Sequence, residues 1–155
     1  MDSYYLLIET LKDTFEGDAR VNTVTTGDVS ELDLSKKNIF PLVHLEVLDS
    51  PYISEQTTAL VRFNVRVSVL DIRDINKEIN LLKFWYNDNR HDVLNETRNI
   101  LKEAENKLIK DTAGLDITIA SSTAAEIIYD KRMNVLDGWQ QTYTLDVPDI
   151  NTTTC

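Results

Sequence analysis

A chain of 155 residues, 42% apolar and 27% charged, is long enough for one domain with a real core. Its charge is unusual: 26 acidic side chains against 16 basic ones leave a net −10, which argues against gripping a nucleic-acid backbone, an affinity that comes from Lys and Arg. No apolar run reaches the ~20 residues of a membrane span, no signal-peptide layout opens the chain, and the one cysteine is Cys155. The expectation is a soluble chain from a reducing compartment, with no internal disulfide.

Asp2 or Ser3 can cap an opening helix in which Tyr4, Leu7, Ile8, Leu11 and Phe15 recur at helical spacing, with Gly17 placed to end it. From Val21 to Ser35 short polar alternation flanks Gly27-Asp28, which reads as two short strands or an extended loop. Lys36-Lys37-Asn38 reads as a turn. Phe40 to Leu48 then alternates as a strand, with Val43, Leu45 and Val47 on one face and His44 and Glu46 on the other. Pro41 suits the start of such a strand.

The stretch D-S-P-Y-I-S-E-Q-T leads to the longest strand, carrying Tyr52 and Ile53 at its tip. There Val61, Phe63, Val65, Val67 and Val69 alternate with Arg62, Asn64, Arg66 and Ser68, so one sheet face is expected buried and one wet. Two long strands joined in this way predict an antiparallel hairpin that projects from the sheet. Ile72, Ile75, Ile79, Leu82 and Tyr86 follow in steps of three and four behind Asp74. They read as a helical excursion, or as the long strand continued into Ile72, before the polar run N-D-N-R-H-D.

A second helix is predicted with Asp92 as its cap, Val93, Leu94, Thr97, Ile100, Leu101, Ala104 and Leu108 as one apolar stripe, and Gly114 as its stop. Leu115, Ile117 and Ile119 mark a strand, and Ala125 to Tyr129 another. After the turn K-R-M-N-V-L-D-G, the residues Trp139, Gln141, Tyr143, Leu145 and Val147 alternate along a last strand that Pro148 ends. The expected fold is therefore α+β: a mostly antiparallel sheet, two main helices packed on one face, and a long projecting β-hairpin. Residues 1–147 form a single domain and 148–155 a flexible tail.

Chemistry is sparse. His44 is expected on an outward strand face and His91 just ahead of a helix, neither beside a nucleophile motif. The chain's four glycines build no phosphate cradle. Asp71 and Asp74, or Asp88, His91 and Asp92, could offer oxygen ligands to a hard cation, yet they match no calcium-loop spacing, and an Asp ahead of a helix is commonly a cap. The expectation is no catalytic residue, no cofactor and no metal.

Assembly has a better physical case, because a long strand edge readily pairs with a neighbour and head-to-tail contacts can close into a ring. Tyr52 and Ile53 at the hairpin tip, and Met133, Val135 and Leu136 at the last turn, are the candidate subunit or partner contacts. The alternatives are a tip folded back on its own domain, and Val135 and Leu136 packed under Trp139.

The order of elements resembles the tail-terminator (tail-completion) family of long-tailed bacteriophages. The resemblance is carried by Y-Y-L-L-I-E-T-L, I-F-P-L-V-H-L-E-V, R-F-N-V-R-V-S-V-L, D-V-L-N-E-T-R-N-I-L-K-E-A and the closing unit A-E-I-I-Y-D to G-W-Q-Q-T-Y-T-L-D-V. It implies a hexameric ring of identical copies in the virion, assembled in the host cytoplasm. Such a ring touches the tail tube protein and the head connector or neck protein, and has no enzyme activity and no membrane contact. DNA would pass through its lumen without specific binding. A neck or head–tail connector ring is the near alternative, and a small cytoplasmic α+β ligand-binding domain the distant one.

Overall fold

The computed structural model describes residues 2–27, 40–51, 60–72, 88–109, 117–131 and 136–148. Helix α1 spans Ser3–Glu16 and α2 spans Asp88–Ile109; the strands are β1 (Thr23–Thr26), β2 (Leu42–Asp49), β3 (Leu60–Ile72), β4 (Thr118–Ser122), β5 (Glu126–Lys131) and β6 (Leu136–Pro148). They build one six-stranded sheet in the order β1-β2-β3-β6-β4, with β5 also paired to β6. β1 runs parallel to β2, and every other pairing is antiparallel. An α+β fold with a mostly antiparallel sheet is what the strand patterns predicted.

The strand alternation read from sequence sets the main core. Val43 faces Val69, Leu45 faces Val67, and on the other side of β3 Val65 faces Tyr143 and Phe63 faces Leu145. These side chains share one face by the two-residue period and cluster with Leu7, Leu11 and Phe15 of α1 and Ile100, Leu101, Ala104 and Leu108 of α2. All seven residues of the predicted α2 stripe are buried. The α1 stripe is rotated from its prediction. Leu7, Thr10, Leu11, Thr14 and Phe15 are buried, whereas Tyr4 is 47% exposed.

Three threonines fit these apolar stripes because each hydroxyl donates one turn back along its own helix, Thr10 to Leu6 O, Thr14 to Thr10 O and Thr97 to Val93 O, at 2.6–2.7 Å. The Trp139 indole N–H donates to Leu94 O at 2.9 Å and ties β6 to α2. Tyr143, also buried, donates to Gln141 Oε1 at 2.8 Å, and burial raises its phenol pKa well above the ordinary range.

Several local expectations are corrected. Asp92 and His91 lie inside α2 rather than ahead of it, since the helix already includes Asp88. Leu136, Asp137 and Gly138 belong to β6, not to the preceding turn. The reason is Gly138. A Cβ there would lie 1.9 Å from Val69 O, so only glycine lets the two backbones approach and carries the pairing on to Leu136 opposite Ile72. Pro148, read as the strand's end, still pairs with Leu60. β3 runs to Ile72, as one of the two sequence readings had it, while the helical excursion beyond lies outside the described residues.

β2 and β3 do pair as antiparallel neighbours, from Leu42 opposite Leu70 to Asp49 opposite Asn64. β3 is also paired with β6 along its whole length, so it sits at the centre of the sheet.

Candidate functional site

The even-numbered side chains of the strands occupy the second sheet face, expected to be wet throughout. One end of it is dry: Leu42, Leu70, Ile128 and Leu136 are buried and form a smaller core with Phe40, against which Ile72 packs. Apolar residues fall in register there, so desolvation drives them together. Leu136, a predicted contact, is wholly inside this cluster, and its side chain offers no surface. Tyr52, Ile53, Met133 and Val135 lie outside the described residues.

His44 marks the border between the dry and the polar ends. It is 2% exposed, contrary to its predicted outward position. One ring nitrogen lies 2.8 Å from the Thr25 hydroxyl and the other 2.8 Å from Gly27 O. A carbonyl only accepts, so Nε2 carries a proton toward Gly27, while Nδ1 shares a hydrogen bond with the Thr25 hydroxyl. Gly27 has φ 109°, a left-handed backbone that suits glycine and turns its carbonyl to the ring.

Beyond His44 the face is a polar ladder. Glu46, Arg66 and Thr142 stand side by side across three strands, then Asp49, Asn64 and Thr144, then Arg62 and Asp146. Arg62 grips Asp146 with two hydrogen bonds, 2.7 and 2.9 Å. Asn64 donates to Asp49 at 2.6 Å and accepts from Thr144 at 2.6 Å. Arg66 is held more loosely, by a single 3.5 Å contact to Glu46.

At the far edge β4 and β5 follow one another along β6, Ser122 opposite Tyr143 and Glu126 opposite Gln140, with a break at residues 123–125. Thr123 seals the break: its N–H donates to Thr142 O at 2.9 Å, its hydroxyl accepts from Thr142 N at 3.1 Å, and its carbonyl accepts from the Gln141 amide at 2.8 Å. Such bulges bend a strand and leave room beside it. A depression of about 170 Å³ opens here, lined by Arg66, Thr123, Ala124, Glu126, Gln140, Gln141 and Thr142.

On the helix side, Asp71 and Asp137 face each other across β3 and β6. Asp137 is fully buried, with Arg90 Nε 3.5 Å away. Burial, and then the nearby charge of Glu96, push the Asp71 carboxyl above its ordinary pKa, against a 2.8 Å hydrogen bond from Ile72 N–H. Arg90 also lies over the Tyr129 ring at 5.2 Å. Sequence reading placed Asp71 with Asp74 and missed Asp137 and Arg90, because their meeting depends on the β3–β6 register. Among the described residues no group of three or more His, Cys, Asp or Glu could hold a metal ion, and no helix is long and apolar enough to cross a membrane.

The β1 edge and the β4 stretch of the opposite edge carry no charged side chain, whereas β5, which continues that opposite edge, carries Glu126, Asp130 and Lys131. β1 reads Thr-Val-Thr-Thr and β4 reads Thr-Ile-Ala-Ser-Ser, the latter mostly exposed. Among the described residues no strand covers the outer side of either. Exposed aromatic surface gathers at the start of α1, where Tyr5 is 60% exposed and Tyr4 meets Phe63 edge-to-face at 6.1 Å. No protein-family model matches the sequence, and a search of curated proteins found no match.

Proposed function

We propose that the protein is a structural subunit of a bacteriophage particle, a tail terminator whose copies close into a ring, a hexamer by the family resemblance, at the end of the tail tube. The observation that carries this reading is the pair of charge-free edge strands, β1 and β4, on opposite sides of the sheet of a chain of net −10. Identical acidic molecules repel one another, and an exposed edge without Lys, Glu or Pro is where such copies approach at least cost. Joining the β4 edge of one copy to the β1 edge of the next is a head-to-tail contact, which closes into a ring when its rotation closes. The connection between Asp49 and Leu60, with Tyr52 and Ile53, would reach past the sheet as the projecting arm that grips a neighbour or the tail tube. An acidic lumen would let DNA slide through without holding it.

Light scattering on the purified protein tests the assembly half, with a ring-sized oligomer as the expected result. Ser121→Lys, a charge on the exposed β4 edge, should dissociate it while leaving circular dichroism unchanged. Negative-stain microscopy of particles lacking the protein tests the biological half. Over-long tails are expected. Tails of normal length without heads would assign the head–tail joining role instead, and a stable monomer at high concentration would overturn the ring.

A further inference from the structure

The two arginines of β3 that point onto the polar face are treated differently by the fold. Arg62 is saturated by Asp146, fork against fork, at 2.7 and 2.9 Å. Arg66, two residues after Asn64 and four after Arg62 on the same face, has one 3.5 Å contact to Glu46, a 43% exposed side chain, and no other hydrogen bond among the described residues. Arg66 also lines the depression beside the break in the edge strand. A cationic fork with unused donors at the wall of a polar hollow is an arrangement the sheet itself does not need.

We propose that this depression is a binding subsite for a carboxylate that carries an N–H group beside it, either a free α-amino acid or the last residue of an extended peptide. Arg66 supplies the planar fork that a carboxylate matches with two parallel hydrogen bonds. Thr142, opposite Arg66 in the strand register, lines the same hollow and carries a hydroxyl that can donate. Glu126, which lines the same hollow, accepts from the Gln140 amide at 3.2 Å and keeps its remaining lone pairs for an ammonium or amide N–H.

Charge narrows the class further. Glu46 contacts the Arg66 guanidinium and Glu126 lines the same hollow, so a doubly charged phosphate meets more repulsion than a singly charged carboxylate does. Size narrows it again. About 170 Å³ holds one residue and falls short of the roughly 300 Å³ at which pockets for larger molecules begin. All its lining groups come from one copy, so the site is complete without ring formation.

Backbone amide NMR of the full chain tests the subsite, with four probes at millimolar concentration: a panel of L-amino acids, a four-residue peptide with a free C-terminal carboxylate, the same peptide as its C-terminal amide, and inorganic phosphate. Saturable shifts at Arg66, Thr123, Gln140 and Thr142 are expected with the amino acids or with the free-carboxylate peptide, and the arm that responds identifies the source. Arg66→Gln should weaken that binding at least tenfold, and Arg66→Lys, which keeps the charge but loses the fork, should weaken it partly. Arg62→Gln should leave it unchanged. No shift with any amino acid or with the free peptide, equal binding of the peptide amide, equal binding of inorganic phosphate, or undiminished binding to a folded Arg66→Gln variant would each overturn the proposal.

Discussion

The two faces of the sheet are built from the same strands and alternate residues, yet they are governed by different physics. On the odd-numbered face, valines and leucines meet two helices, and Val65, Val67, Leu145 and Val147 are wholly out of solvent. On the even-numbered face, a small apolar cluster at one end gives way within a few residues to a ladder of paired polar groups. The first face contributes stability through burial, at about 25 cal/mol for each Å² of apolar surface removed from water. The second holds its shape by satisfying donors and acceptors, each worth much less net, about 1 kcal/mol. The difference teaches where this chain can afford exposed chemistry: side chains free to meet a ligand stand on the face that the helices leave alone.

The largest expected effect comes where the two faces share one backbone. Gly138→Ala puts a methyl against Val69 O and should separate β6 from β3, destabilising by roughly 3 kcal/mol or more, read as a lower urea midpoint. Next, Leu101→Ala in the helix-covered core should cost about 2–5 kcal/mol. Leu42→Ala, equally buried but in the smaller cluster, should fall toward the low end of that range, because fewer neighbours enclose the cavity. Equal losses would break the comparison between the faces.

At the border between dry and polar ends, His44→Leu keeps the volume but leaves Gly27 O and the Thr25 hydroxyl without their partner, and should cost about 1–3 kcal/mol in the same assay. The smallest effect should come from Asp71→Asn, and its sign should depend on pH. Folding raises the Asp71 pKa above 3.8, so the protonated form suits the fold, and ionisation removes stability as pH rises through the folded value. The Asn variant should be the more stable at pH 7, still accepting from Ile72 N–H, and should lose that advantage below pH 3.8, as urea melts at the two pH values would show. A variant less stable at pH 7 would mean that the Asp71 charge is compensated within the fold.

Element types were legible in the sequence wherever a periodic stripe was long. Val93 to Leu108 keeps one helical face through several turns, and Val61 to Val69 alternates over nine residues, so neither could be read as anything else. Boundaries were less legible. Asp92 looks like a cap because its residue type is common there, but a helix can begin earlier when the preceding polar residues tolerate it. The candidate subsite left little signal. Arg66 and Arg62 are equivalent in an alternating pattern, and nothing local says that Asp146 meets one of them while a break in the edge strand opens beside the other.

By itself the sequence determined that the chain is acidic, that it forms two amphipathic helices and alternating strands, and which side of each strand is apolar. Those properties depend on periods of 3.6 and 2 residues, which are local. Tertiary structure alone decided that His44 is buried, that Asp71 and Asp137 face each other, that Gly138 lets β6 close onto β3, and that one end of the polar face is dry. Each follows from which strands pair and in which register, and register brings together residues up to about eighty positions apart, a relation that no sequence window contains.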